Sequence, residues 1–249
     1  ALTARSRVHV VDLIPGVSGG TIAFLMGIYD ELLEAIHSFD SVFLRQLGRG
    51  RFREAFLKTG WRFLCILSAG ILTAIFSFAS LIKWLLIHRT VHLNAFFFGL
   101  ILATVFVMSR KVRAPNAGLL ATGLLSAIAM YLLVGMVPLR TPDDWWFLFL
   151  SGSIAICAMI LPGISGSFIL LLLSKYEYII AAVSDRNLLV LTIFGAGCVS
   201  GLLTFVRVLK TLLNRHHDLV LSVLTGLVLG SLRRIWPWKE VVRAIVTPK

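Results

Sequence analysis

Four stretches of the chain, 63–87, 93–109, 117–138 and 187–209, are apolar on every face of a helix and carry almost no charge. A helix on the surface of a soluble domain keeps a polar stripe; these do not. About 20 such residues cross the hydrocarbon core of a bilayer. The pattern predicts an all-α polytopic membrane protein, with 1–249 forming a single transmembrane domain.

A shorter apolar stretch, 146–161, rises only about 24 Å as a helix, less than the roughly 30 Å core. It runs into LPGISGS at 161–167. Proline disfavours helical angles in the residue before it, and glycine permits a turn. A hairpin is therefore expected that enters, breaks at Pro162-Gly163 and returns to the same side. Behind it, 167–183 reads as an uninterrupted helix. The same words occur earlier, IPGVSGG at 14–20, with 20–36 reading as the helix behind them. The preceding ALTARSRVHV is polar and basic, so the element before Pro15 is expected to be short, and the apolar core of a cleavable signal peptide is not seen there.

The duplication extends well past the motif. Residues 14–36 align on 161–183, with Pro15, Gly16, Ser18, Gly19, Ile22, Leu25, Tyr29 and Ala35 matched and Asp30 facing Glu177. After a change of register, 67–86 align on 194–213 and 98–104 on 225–231. The first half carries the longer loop, near 37–60, where the second has SDRN at 184–187. Each half thus reads as a broken or re-entrant helical hairpin followed by two transmembrane helices. Repeat one is 8–112, repeat two is 146–236, and the helix 117–138 joins them. A single linker helix between similar halves predicts inverted repeats, a pattern of secondary transporters whose sites lie where discontinuous helices meet. Loop charge supports inversion only in part, because the 110–113 loop and the C-terminal tail are both basic.

The net charge of +12 does not indicate a nucleic-acid partner. Lys and Arg sit in the connections, most densely at Arg45, Arg49, Arg51, Arg53, Lys58 and Arg62, as cytoplasmic loops of membrane proteins do. Cys65, Cys157 and Cys198 are isolated within apolar blocks, with no metal-ligand or disulfide spacing. Neither metal nor cofactor is expected.

A helix that starts at a broken motif presents N–H groups and positive partial charge, a ready anion site. The candidate binding positions are Gly16, Val17, Ser18, Gly19, Gly20 and Thr21 in the first motif, and Gly163, Ile164, Ser165, Gly166 and Ser167 in the second. Arg207 and Lys210 share one helix face, and a guanidinium suits phosphate oxygens. Lys175, behind the second motif, is a further cation nearby. Asp12, Asp30, Glu31 and Glu177 are candidates for proton coupling. A packing kink is the plainer reading of each motif, and snorkelling that of Lys83 and Lys210. GVSG and GISG also fit an intramembrane serine hydrolase, with Ser18 or Ser165 as nucleophile. That chemistry needs a histidine base within reach, and all six histidines fall at segment ends or in loops. A transporter or channel for a small soluble anion is the other alternative.

DLIPGVSGGTIAFLMGIYDELLEAI and AMILPGISGSFILLLLSKYEYI, with LTFVRVLKTLL and LTGLVLGSL, resemble the bacterial polyprenyl-phosphate transporter family over essentially the whole chain. The resemblance implies a non-enzymatic flippase in the bacterial cytoplasmic (inner) membrane. It would return undecaprenyl phosphate, the lipid carrier of cell-wall and other envelope glycans, to the cytoplasmic leaflet by alternating access. The implied partners are undecaprenyl phosphate and membrane lipids; a homo-oligomer is left open. The family's paired motifs map to Pro15–Thr21 and Pro162–Ser167, and its basic position to Arg207. The halves differ where Gly20-Thr21 stands opposite Ser167-Phe168.

Overall fold

A computed structural model describes residues 19–237, apart from 40, 52, 54–58, 139 and 140. Its elements are α1 (Gly19–Leu25), α2 (Tyr29–His37), α3 (Ser41–Gly48), α4 (Trp61–His88), α5 (Thr90–Arg110), α6 (Ala117–Val134), α7 (Trp145–Ile160), α8 (Gly166–Leu172), α9 (Tyr176–Ser184), α10 (Leu188–Arg215) and α11 (His217–Ser231), then a 3-10 turn, Leu232–Ile235. Among the described residues there is no strand. The same succession occurs twice. Seven-residue α1 and nine-residue α2 are matched by α8 and α9. The long helices α4 and α10 each have 28 residues. Even the corners into α5 and α11 agree, with Arg89 at φ −140°, ψ 40° and His216 at φ −135°, ψ 52°.

The expected uninterrupted helices 20–36 and 167–183 are both broken. Gly27 and Ser174, which align in the two halves, take left-handed φ of 74° and 52°. Each closes the preceding helix in the Schellman pattern. Ile28 N donates to Ala23 O at 2.9 Å and Gly27 N to Phe24 O at 3.1 Å. Lys175 N donates to Leu170 O at 2.8 Å and Ser174 N to Leu171 O at 3.0 Å. The chain bends by 105° between α8 and α9. The joining helix is shorter than the apolar stretch 117–138. Asn116 Oδ1 caps it by accepting from Leu119 N, and it ends at Val134, before Gly135.

Helices α4, α5, α6 and α10 are long and apolar enough to cross a membrane, and the bent pair α8–α9 makes a fifth candidate span. Their outer faces expose large apolar side chains such as Phe76, Leu120, Leu125 and Leu189, a surface suited to lipid rather than water. Hydrophobicity does not hold such helices together, since the surrounding lipid is equally apolar; close packing of small residues and interhelical hydrogen bonds do. Two pairs use this device. On α11, a Cβ at Gly226 would lie 2.0 Å from Ser126 Oγ and 2.1 Å from Gly123 O. Ser126 Oγ donates across this contact to Val223 O at 3.0 Å. On α10, a Cβ at Gly197 would lie 2.1 Å from Phe149 O of α7, and Ser153 Oγ donates to Gly197 O at 2.8 Å. Ile101, Met108, Val206 and Val228 are fully buried where α5, α10 and α11 meet the α1–α2 unit.

The loop between α5 and α6 is fastened to α11. Asp218 Oδ1 accepts from Arg113 N at 3.2 Å and Oδ2 from Ala114 N at 3.0 Å. His217 Nδ1, carrying its hydrogen, lies 3.0 Å from Oδ1. The His217 hydrogen bond first, and then the two loop amides, hold the Asp218 carboxyl below its usual value.

Two outcomes follow from this packing. Gly226→Val should lower the thermal unfolding temperature in detergent, at a cost of about 1–3 kcal/mol for overpacking. Gly99→Ala should be neutral, because a Cβ there meets no described atom within 4 Å. The Asp218 contact contributes above its unfolded-state pKa, about 4, and is lost as pH falls through the depressed folded value. Hydrogen-exchange protection of the Arg113 and Ala114 amides should hold at neutral pH and collapse in acid, and Asp218→Asn should weaken it at neutral pH.

Candidate functional site

The two motifs meet. Thr21 is fully buried on α1, and its Oγ1 accepts from Gly163 N at 2.9 Å. Tyr29 OH donates to Ile160 O at 3.3 Å. Ile160 ends α7, so its carbonyl is one of those a helix terminus leaves unbonded. The backbone of Gly20 sits against the same carbonyl, and a Cβ there would come to 2.4 Å from Ile160 O. Gly163 has φ 85° and packs on α11, where a Cβ would lie 2.8 Å from Val228 Cα. Both glycines are required, Gly20 by close approach and Gly163 also by its left-handed backbone.

The remaining motif groups divide between structure and surface. Ile164 is buried, and its N–H donates to Leu161 O at 3.4 Å. Gly166 is buried against Ala155 O. Ser165 stands at the start of α8 in extended conformation, but its side chain does not cap the helix. Its Oγ lies 2.8 Å from Ser167 Oγ instead. Ser165 is half-buried and Ser167 exposed. Gly163, Ser165 and Phe168, with Met130 and Val134 of α6 and with Ser231 and Arg234, line a small cleft. The Arg234 guanidinium lies over the Phe168 ring, its Cζ 4.3 Å from the centroid. Sequence reasoning placed Arg234 in the basic tail and did not count it as a site residue. Its signal was available: it lies three residues past the repeated GLVLGS segment, and its aligned position in the first half is Val107.

The other predicted residues lie elsewhere. Gly19 is exposed, while Asp12, Gly16, Val17 and Ser18 fall outside the described residues. Arg207 is exposed on α10 and does not line the cleft. Lys210 is 3.5 Å from Glu34, tying α10 to α2. Asp30 and Glu31 open α2 and Glu177 opens α9, all exposed, at helix starts where a negative charge is favoured. Lys175 is buried at the second break rather than aimed at the cleft. Its Nζ pairs with Asp143, donates to Thr141 O at 3.3 Å, and lies over the rings of Phe147 and Tyr178. The hydroxyl partner of Ser165 is a second serine, and the described cleft lining includes no histidine; among the described residues the serine-hydrolase alternative finds no base in the cleft lining at this serine. Among the described residues no group of three or more His, Cys, Asp or Glu could hold a metal.

Several apolar spans, with Thr21 of the first motif bonded to Gly163 at the break in the second, define a multi-pass helical membrane protein. The chain belongs to the undecaprenyl phosphate translocase-like family (VCA0040-like), whose description matches residues 8–249. It is 45% identical over 231 residues to a polyprenyl-phosphate transporter of Vibrio cholerae, covering 93% of this chain and 75% of that protein. It is 29% identical over 245 residues to a polyprenyl-phosphate transporter of Staphylococcus aureus, covering 91% and 82%. Both relatives are named as transporters, not enzymes. No solved structure shows a significant match.

Thr21→Val should leave the buried Gly163 amide without its acceptor and cost about 1–3 kcal/mol, read as a lower unfolding temperature. Thr21→Ser, which keeps the hydroxyl, should restore most of it.

Proposed function

We propose that this protein carries a polyprenyl phosphate, undecaprenyl phosphate in a bacterial cytoplasmic membrane, from one leaflet to the other. The observation that carries the reading is the crossing itself, where Thr21 of the first motif accepts from Gly163 of the second beside a cleft lined by both polar residues, Ser165, Ser231 and Arg234, and apolar ones, Met130, Val134 and Phe168. Family membership and the two named relatives supply the substrate class.

The phosphate head group exchanges its hydration for hydroxyl and charged donors at the crossing, while the prenyl chain stays in lipid. A phosphomonoester carries more than one negative charge near neutral pH, about −1.5 to −2 by analogy with phosphoserine, so cations and hydroxyls together are needed. Helix dipoles are a minor part of this account. Helices α1 and α8 have only seven residues each, and the Gly163 and Ile164 amides are already bonded within the protein. Exposed Arg207 and its neighbour Lys210 are assigned to the path of the head group along α10 rather than to the crossing. Movement runs towards the cytoplasmic leaflet, returning the carrier for further envelope-glycan synthesis, with the repeats rocking about the crossing. The carboxylates at the openings of α2 and α9 are the candidates for proton coupling.

A carrier for a small soluble anion would share the polar groups. The apolar Met130, Val134 and Phe168 in the same cleft favour a ligand with a hydrocarbon part.

Proteoliposomes containing undecaprenyl phosphate test the reading. Protein-dependent movement of the lipid phosphate between leaflets, unaffected by excess inorganic phosphate, is the expected result. Uptake of inorganic phosphate without lipid movement would establish the soluble-anion alternative. Arg207→Ala should slow movement while leaving equilibrium lipid binding intact.

A further inference from the structure

We infer that the two motif-bearing units enter the membrane from opposite faces: α7, the second motif and α8–α9 form a hairpin that returns to the outer face, while α1–α2 opens to the cytoplasmic face. The directions in which neighbouring helices run carry this inference. Along α7 and α10 the contacts climb together. A Cβ at Gly197 would lie 2.1 Å from Phe149 O, and one at Gly201 2.7 Å from Ser153 Cα. Ser153 Oγ donates to Gly197 O at 2.8 Å, and Cys157 Sγ to Gly201 O at 3.7 Å. The two helices are therefore parallel, and both begin at one end of the bundle. Leu148 near the start of α7, Ala182 near the end of α9 and Val190 near the start of α10 pack together there. A chain that leaves Ile160 and arrives at Leu188 has come back to the end where α7 began. The 105° bend between α8 and α9 then belongs to a re-entrant loop and not to a fifth span.

Helices α6 and α11 are parallel by the same kind of contact. Ser126 Oγ donates to Val223 O at 3.0 Å, a Cβ at Gly230 would lie 2.3 Å from Ala127 O, and Arg233 Nη1 donates to Tyr131 O at 2.7 Å. Asp218, in the first turn of α11, holds the Arg113 and Ala114 amides just past the end of α5. Helix α5 thus finishes where α11 begins, and these two, which occupy the same place in their repeats, run in opposite directions. Helix α10 finishes at this end as well, one corner residue before α11. The end of α2 belongs to it too. Glu34 is 3.5 Å from Lys210 near the end of α10, and Gly60 N, at the start of α4, donates at 3.0 Å to Ser38 Oγ just past α2. Hence α2 and its counterpart α9 finish at opposite ends of the bundle.

With 28 residues α10 is about 42 Å long, more than the roughly 30 Å hydrocarbon core. Cys157 meets it at Gly201, half way along, and α7 ends about one turn later. The second motif therefore lies at mid-depth, where Gly163 meets Thr21. Connections at the Asp218 end carry Arg110, Lys111, Arg113 and Arg215, together with the basic loop between α2 and α4; those at the other end carry Arg89, Arg140 and Arg186. Lys and Arg are in excess in cytoplasmic loops, which puts the Asp218 end in the cytoplasm. One further step rests on the transport reading given above: each leaflet has its own motif unit, the second serving the outer leaflet and the first the cytoplasmic one, with the crossing between them.

Single cysteines in the full chain, with Cys65, Cys157 and Cys198 replaced by alanine, test this through a membrane-impermeant maleimide added to spheroplasts before or after lysis. Asp144→Cys ahead of α7 and Asp185→Cys behind α9 flank the hairpin at exposed positions, and both should be labelled before lysis. Arg49→Cys and Arg113→Cys, also exposed, should be labelled only after lysis. Pro142→Cys and Ser184→Cys, exposed neighbours of the first pair, repeat that comparison where a member of the pair does not accumulate. If the two sides of the hairpin are labelled from opposite faces, α8–α9 crosses the membrane and the inference is overturned. Labelling of Arg113→Cys from the same face as Asp144→Cys overturns the inversion, and an exchange of faces throughout overturns the outer assignment of the second unit. No ligand takes part in the labelling. Failure of lipid movement in proteoliposomes would therefore sink the transport reading and leave the labelling pattern unchanged.

Discussion

Inside a bilayer there is no water to take up a stray backbone hydrogen bond, so a helix can be interrupted only where protein satisfies what the break exposes. Here the second break is satisfied by the first half of the chain. The Ile160 carbonyl, left over at the end of α7, receives the Tyr29 hydroxyl. The Gly163 amide, left over within the turn, donates to Thr21. The rest follows from holding this junction shut: Gly20 must lack a side chain to let α1 reach Ile160, and Gly163 must lack one both to turn and to lie on α11.

The junction makes the repeats unequal in function although nearly equal in element length. In the first half the residues after the motif are committed to the junction. In the second, Phe168, the counterpart of Thr21, lines a cleft instead. Duplication supplied two copies of the same motif, and the described parts of the copies do different things, Gly20 and Thr21 joining the second copy while Gly163, Ser165 and Phe168 line the cleft. The second break of each unit, at Gly27 and Ser174, has a related purpose. It folds α8 and α9 into a bent pair within one apolar segment, and buried Lys175 with Asp143 and Thr141 closes the elbow. A straight helix would carry α9 away from α7 and α10, where Leu148, Ala182 and Val190 now form a small core of their own.

The spans and the repeat were legible in the sequence because each rests on a signal repeated many times over, apolar blocks for the first and aligned motifs for the second. The positions of the motif were legible, but their roles were not. Ser165 reads as a helix cap, and nothing local says that its hydroxyl turns to Ser167 instead. Nor does Thr21 announce an acceptor for an amide far along the chain. The elbows were missed because one glycine inside an apolar run is common in membrane helices, and a left-handed serine at 174 has no distinctive signature. Arg207 drew attention by lying within an apolar block, yet it faces outwards. Arg234 was passed over because it lies beside other basic residues; only tertiary structure separates it from Arg233 by placing Phe168 beneath it.

The central claim is that the junction of the two motifs is where the phosphate is held. Solid-state NMR dipolar recoupling between the phosphorus of bound undecaprenyl phosphate and isotopically labelled Ser165, in protein reconstituted in lipid, tests this most directly. Strong phosphorus dephasing at Ser165, absent at Arg207, is the predicted result. A bound lipid phosphate that dephases Arg207 and leaves Ser165 untouched would contradict it.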